Sequence, residues 1–292
     1  MHVSARQEAL SIFIIMLQKH IIRNIVQSAI EEDVGGTDIT TTAALTGEEI
    51  GKALALAKSA LVVAGIDVFA ETFLFLDAGM QFKSCCRDGE FVEKGGCLAE
   101  ISGNLSRMLT AERVALNFLQ RMCGIATLTR RYVDEVKGTK AKILDTRKTA
   151  PGLRYLDKYA VRIGGGHNHR FGLYDGVLIK DNHIAAAGGI SQALARVRGR
   201  LPHTLKVEIE VKNLQELEVA INSGADVIML DNMSLEDMER AVAATGGRVP
   251  LEASGNVTLA NVRKIAETGV DFISVGALTH SVPASDISLK IE

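Results

Sequence analysis

From residue 141 onward the hydrophobic positions fall into short runs that each end in polar or glycine residues: "AKILDTRK", "GVLIKDNH", "LKVEIEV", "DVIMLDN", "VPLEASGN" and "DFISVGAL". Short apolar runs bounded in this way predict strands buried on both faces. Between the later ones lie segments with apolar residues at helical spacing: "NLQELEVAINSGA", "SLEDMERAVAATGG" and "TLANVRKIAETGV". Leu230, Leu251 and Val275 are 21 and 24 residues apart, close to the shortest repeat that holds a strand, a helix and the return. The pattern predicts repeated βα units, which form either an open doubly wound sheet or a barrel. Placement of the polar residues favours the barrel. Arg147 with Lys148, Lys180, Glu210, Asp231, Ser254 with Gly255, and Gly276 each stand at or beyond the C-terminal end of one of these strands. Parallel strands in a barrel bring such ends to one mouth, whereas an open sheet spreads them along an edge.

The first third of the chain mixes signals. Residues 9–17, "ALSIFIIML", resemble the apolar core of a signal peptide, but Glu8 lies beside them and no small-residue cleavage site follows. The apolar pattern continues through Ile21, Ile22, Ile25, Val26 and Ile30, which predicts one amphipathic helix. "GKALALAKSALVVAG" reads as strand and "DVFAETFLFLDAG" as helix. "MQFKSCCRDGEFVEKGGCLAEISG" reads as a meander of short strands joined by Asp-Gly and Gly-Gly turns. A long helix is expected to open at Thr110, an N-cap residue followed by Glu112 in the first turn.

Composition narrows the class. The chain has 292 residues, 47% of them hydrophobic and 23% charged, with a formal net charge of −2, and this near-neutral balance argues against general binding to nucleic acid or membrane. Its four cysteines form neither a CxxC pattern nor a disulfide framework, so a reducing cytoplasm is expected. Against that background the stretch 145–170, "DTRKTAPGLRYLDKYAVRIGGGHNHR", is unusual. It carries Arg147, Lys148, Arg154, Lys158, Arg162, His167, His169 and Arg170, with only Asp145 and Asp157 acidic.

Such a cluster is a local device for anions. Arginine grips planar carboxylates with two hydrogen bonds, and lysine supplies a point charge to phosphate oxygens. Arg147, Lys148, Arg170 and Lys180 directly follow strands or the glycine loop, which directs them into the predicted mouth. Arg154, Lys158 and Arg162 follow the Pro151-Gly152 turn on a helix and equally suit a face turned to water. The glycines Gly164–Gly166 let backbone approach a ligand, and the small-residue turns in "EASGN" and "VGALTHS" suit backbone N–H contacts to phosphate. Glu210 and Asp231 end neighbouring strands; they either balance the cations or hold Mg²⁺, which favours a few carboxylates plus phosphates and water. His183 and His280 read as structural. A second chemistry, a Schiff-base aldolase with Lys180 as nucleophile, stays open on these residues alone, and a non-catalytic anion sensor is a third.

Taken in order, "TAERVALNFLQRMCGIAT", the stretch 145–170, "LIKDNHI", "EIEV", "LDN", "EASGN" and "VGALTHS" closely resemble the quinolinate phosphoribosyltransferase family, from about residue 28 to the end. The resemblance implies an incomplete α/β (TIM-like) barrel at 125–280. It also implies an N-terminal α/β sandwich-like domain at 1–124, to which the tail 281–292 returns. The implied reaction joins quinolinate to phosphoribosyl pyrophosphate with Mg²⁺, releasing nicotinate mononucleotide, pyrophosphate and CO₂. Carried over residue by residue, Arg113, Arg147, His169, Arg170 and Lys180 face quinolinate, with Thr146 beside them, and Arg113 comes from the partner subunit of a homodimer or higher homo-oligomer. Lys148 and the turns Ser254, Gly255, Asn256 and Gly276, Ala277, Leu278 take the phosphates. Glu210 and Asp231 meet the ribose hydroxyls and the metal, in part through water, so the implied catalytic set is Lys148, Lys180, Glu210 and Asp231. His167 occupies the variable slot of "GGGxNHR". A sister phosphoribosyltransferase of the same fold acting on another aromatic acceptor is the nearest alternative.

Overall fold

The computed structural model describes residues 17–292 and divides into two compact units. The apolar run at 9–16 therefore lies outside the described residues. Helix α1 (Lys19–Val34) carries the continuing part of that pattern, and Ile22, Val26 and Ile30, one turn apart, are its buried positions.

The first unit comprises the chain up to residue 128, residues 150–165 and residues 282–292. After α1 and α2 (Ile39–Ala44) come β1 (Ile50–Ala57), β2 (Leu61–Val62), α3 (Ile66–Leu76), β3 (Gln81–Ser84), β4 (Phe91–Val92) and β5 (Cys97–Asn104). A four-stranded antiparallel sheet has the order β12-β1-β5-β3, where β12 (Ile287–Ile291) comes from the C-terminal tail. Alternation in β1 turns Ala53, Ala55 and Ala57 inward. Their small side chains leave room for Phe69 and Phe73 in the same core, whose rings meet edge to face at 5.1 Å. The expected meander is not formed, because β4 pairs with β2 and β3 pairs with β5.

Helix α4 (Leu105–Glu135) starts five residues before Thr110. Asn104 is the reason: its Oδ1 accepts the Arg107 N–H at 3.0 Å, which is the capping contact. Thr110 sits inside the helix, its hydroxyl 3.0 Å from Asp38 Oδ2.

Residues 150–165 group with the first unit, although the sequence reading assigned them to the barrel domain. Helix α5 (Arg154–Ile163) buries Leu156, Asp157, Lys158, Tyr159, Ala160 and Val161. Arg121 holds Asp157 with two hydrogen bonds of 2.8 and 2.7 Å, and the Tyr159 hydroxyl donates to Asp88 at 2.7 Å. Lys158 is fully buried and is not a cation turned to water.

The second unit, residues 129–149 and 166–281, is the strand-helix repeat. Six parallel strands stand in the order β6-β11-β10-β9-β8-β7: β6 (Lys142–Leu144), β7 (Val177–Ile179), β8 (Val207–Val211), β9 (Val227–Asp231), β10 (Leu251–Ser254) and β11 (Phe272–Ser274). With six strands the barrel is incomplete. At one edge His167 bridges to Leu144 in parallel fashion. The helices are α6 (Asp181–Ala187), α7 (Ile190–Arg198), α8 (Leu214–Asn222), α9 (Leu235–Thr245), α10 (Val262–Glu267) and α11 (Ala277–His280). Asn213 and Ser234 cap α8 and α9, each accepting from the backbone N–H three residues on.

At the N-terminal ends of the strands, Asp226 Oδ2 accepts the Val207 N–H and Asp271 Oδ2 accepts the Leu251 N–H. These aspartates latch β8 to β9 and β10 to β11 and help hold the register that lines up the other end. No helix among the described residues is long and apolar enough to cross a membrane.

Removing the Asp157 carboxylate leaves Arg121 without its buried partner. Asp157→Ala should cost about 3 kcal/mol, the lower end for breaking a buried pair because Arg121 keeps some solvent contact. Urea unfolding of the two proteins side by side measures it, and an unchanged midpoint would show that this pair does not hold α5.

Candidate active site

A cavity of about 850 Å³ opens at the C-terminal end of the parallel strands. Thr146, Arg147, Lys148, His169, Arg170, Lys180, Glu210, Asp231, Ser254, Gly255, Asn256, Gly276 and Ala277 all line it. The convergence expected from the strand ends is thus present in the second unit. Two of the named candidates are elsewhere. Leu278 is fully buried and is no part of the lining, and Arg113 is exposed on α4 in the first unit.

Each wall has a local cause. Asp145, one residue past β6 and fully buried, accepts the His169 backbone N–H at 2.8 Å and the Asn168 side-chain amide at 2.6 Å. This fixes the loop that delivers His169 and Arg170. The Arg170 guanidinium donates to the Gly176 carbonyl at 3.1 Å. Burial, and then the charge of Arg147 close by, press its pKa below the ordinary arginine value. Two cations held so near one another are stable next to an anion.

Lys180 follows β7, and its Nζ lies 2.7 Å from Glu210 Oε1 on β8. Its backbone N–H donates to His183 Nδ1, so His183 serves as a helix cap, as its structural reading required. The Lys180 amine is engaged by the Glu210 carboxylate rather than standing free in an apolar pocket. That opposes the Schiff-base reading, which needs a neutral amine.

The phosphate-type turns are built by close backbone approach. Gly255 has φ +101°, and a Cβ there would stand 2.1 Å from the Asn232 side-chain oxygen. Asn232 itself has φ 55°, donates to Asp231 Oδ1 at 3.0 Å and accepts from Asn256 Nδ2 at 3.0 Å. At Gly276 an added Cβ would come within 3.2 Å of the Lys148 stem, and the Thr279 hydroxyl donates to the Lys148 carbonyl at 2.8 Å. The last two turns and Lys148 therefore form one surface.

Several lining residues were not singled out from sequence: Leu178, Met229, Asn232, Glu252, Val257, Thr258 and Ser274. For Glu252 a signal existed. Glutamates within "KVEIEV" and "PLEAS" interrupt strands that are otherwise apolar, and a charged residue in such a strand is seldom buried without a task. Glu208 and Glu252 are indeed buried, and His169 Nε2 lies 2.9 Å from Glu208 Oε2 and 3.8 Å from Glu252 Oε2. Burial, and next the Glu208 charge, raise the Glu252 carboxyl from 4.5 to about 8.

Two measurements test this geometry. Glu252 has its folded pKa above its unfolded value, so its contribution to stability is full below pH 4.5 and fades as pH rises through about 8. Glu252→Gln cannot ionise. Its unfolding free energy should decline less across that window, and parallel curves for both proteins would contradict the assignment. Gly255→Ala forces a side chain into positive φ and should cost about 1–3 kcal/mol. An unchanged melting temperature would show that the turn is not fixed as described.

Similarity to known proteins agrees with the site. The family models described as the N-terminal and C-terminal domains of quinolinate phosphoribosyl transferase match residues 38–123 and 125–290. The chain is 45% identical over 260 residues to a Bacillus subtilis (strain 168) protein named "Probable nicotinate-nucleotide pyrophosphorylase (carboxylating)", covering 89% of this chain and 90% of that one. It is 46% identical over 290 residues to the chloroplastic nicotinate-nucleotide pyrophosphorylase (carboxylating) of Arabidopsis thaliana, covering 93% and 83%. The crystal structure of NadC from Streptococcus pyogenes superposes with a TM-score of 0.91 at 42% identity, over 94% of this chain and 98% of that one. With both domains matched and the cationic cavity in the expected strand ends, the chain belongs to the quinolinate phosphoribosyltransferase family, the decarboxylating phosphoribosyltransferases of NAD biosynthesis.

Proposed function

We propose that the cavity binds quinolinate against Arg147, Arg170 and Lys180 and phosphoribosyl pyrophosphate against Lys148 and the turns at Ser254–Asn256 and Gly276–Ala277. One observation carries this reading: five charged residues, Arg147, Arg170, Lys180, Glu210 and Asp231, far apart in sequence, line a single cavity. Its size suits a dicarboxylic pyridine beside a phosphorylated sugar.

In the proposed reaction the pyridine nitrogen forms a bond to the anomeric carbon as the bond from that carbon to pyrophosphate breaks. Positive charge develops on the ribose, where Glu210 and Asp231 stand, and negative charge on the leaving group, where Lys148 and the backbone turns stand. Holding nitrogen and carbon in line supplies the proximity part of the rate enhancement. Quaternised nitrogen then accepts the electrons left on the adjacent ring carbon as CO₂ departs, and that carbon takes a proton. No dedicated acid or base is needed.

Glu210 and Asp231, whose carboxylates are hard oxygen donors lining the cavity, would hold Mg²⁺. When bound it neutralises charge on pyrophosphate.

The active unit is a homodimer or higher homo-oligomer in the cytoplasm, with Arg113 of one copy serving the cavity of the other. Arg113 is exposed and outside the cavity lining, and Leu173 and Tyr174, just past Arg170, are 73% and 78% exposed, which suits cover by a second copy.

The experiment is to mix protein, Mg²⁺, phosphoribosyl pyrophosphate and quinolinate, and to measure CO₂ and nicotinate mononucleotide. Nicotinate in place of quinolinate should react poorly. Equal turnover would indicate a sister enzyme without a second carboxylate site. For the assembly, Arg113→Ala and Lys148→Ala should each be inactive alone and regain activity when their subunits are dissociated and mixed. No recovery would place Arg113 outside the neighbour's site.

A further inference from the structure

Glu208 and Glu252 take no part in the proposed transfer, yet they are buried carboxyl groups at the inner side of the cavity. They lie on β8 and β10, the strands that flank β9, and are 8% and 2% exposed. Burying two carboxylates side by side is costly unless each is bonded. What they face is His169: Glu208 Oε2 is 2.9 Å from its Nε2 and Glu252 Oε2 is 3.8 Å away. On the other side of the ring, His169 Nδ1 accepts the Arg170 backbone N–H at 2.7 Å. A neutral imidazole has one donor and one acceptor, so this contact decides the tautomer: Nδ1 accepts and Nε2–H donates to Glu208.

The ring is thus a strut between the barrel interior and the backbone of Arg170. It fixes the chain next to the guanidinium, which Gly176 steadies farther along.

We propose that Glu208, seconded by Glu252, is a positioning residue that acts through His169 to set Arg170 for the quinolinate carboxylate. The inference rests on the reading that Arg170 meets quinolinate, and it gives His169, which lines the cavity, the further work of an internal brace.

One atom from each of the three residues lies within 4.8 Å of the others, as a metal site would require. The tautomer opposes that use. A metal on Nε2 would need the proton on Nδ1, where it would point at the Arg170 N–H. The raised Glu252 carboxyl points the same way, with a proton in place of a metal ion.

The test uses Glu208→Ala, Glu208→Gln, His169→Ala and the double variant Glu208→Ala/His169→Ala, assayed as the full chain with Mg²⁺. Glu208→Ala should raise the quinolinate KM by about tenfold, the size of one hydrogen bond to a charged group, and leave the phosphoribosyl pyrophosphate KM unchanged. Glu208→Gln should recover most of the loss, because its amide oxygen accepts the same N–H. His169→Ala should match Glu208→Ala, and the double variant should be no worse than either.

Additive losses, equal rises in both KM values, or no rescue by glutamine would overturn the proposal. So would a stoichiometric metal found by elemental analysis in the purified protein and lost in His169→Ala. If Glu208→Ala does not fold, His169→Ala and Glu208→Gln carry the same comparison: a quinolinate KM unmoved in the first, or moved in the second, rejects the idea. Absence of quinolinate turnover in the unaltered protein would instead reject the functional reading itself.

Discussion

Asp145 is the constraint on which the site depends. It follows the first strand of the barrel, is fully buried, and spends its two oxygens on the His169 backbone and the Asn168 amide. Hydrogen bonds to a buried carboxylate are among the stronger ones, about 1.5–3 kcal/mol each. They hold a loop that begins with three glycines and has little preference of its own. That anchor sets the backbone from which His169 and Arg170 reach their own partners, Glu208 and the Gly176 carbonyl. The acidic residue that looked like an exception in a basic stretch is what makes the stretch usable.

A site rich in cations stores repulsion, which the substrate's charges relieve. The fold limits the cost by giving two cations a local acceptor: Arg170 donates to a carbonyl, which leaves its charge in place, and Lys180 to the Glu210 carboxylate, which offsets part of its charge. The carboxyl groups of Glu208 and Glu252 stand on the inner side of the cavity beside His169, away from the rim where Lys148 and Asn256 are exposed.

The division of labour along the strands follows from their shared direction. At the N-terminal ends Asp226 ties β8 to β9 and Asp271 ties β10 to β11, and both serve stability. At the C-terminal ends the residues are free to vary in chemistry because the register is already held. Tight turns at Gly255 and Gly276 then bring backbone close enough for phosphate, and Asn232 and Lys148 are the side chains packed against them.

Much of this was legible in the sequence. Apolar runs of strand length, interleaved with capped helical segments, determined the parallel βα unit, and polar residues at the strand ends determined where the cavity opens, because both depend only on spacing along the chain. Contacts between distant residues were not legible: that β4 pairs with β2, that Asn104 starts α4, and that residues 150–165 group with the first unit through Arg121, Asp157, Tyr159 and Asp88. The same holds for His169. Its residue type suggested a charge for the substrate, while its neighbours in space, Glu208 on one nitrogen and the Arg170 backbone on the other, are visible only in three dimensions. Periodicity fixes which face of an element is buried; only tertiary packing decides which partner a buried polar group meets, since that partner is set by three-dimensional distance.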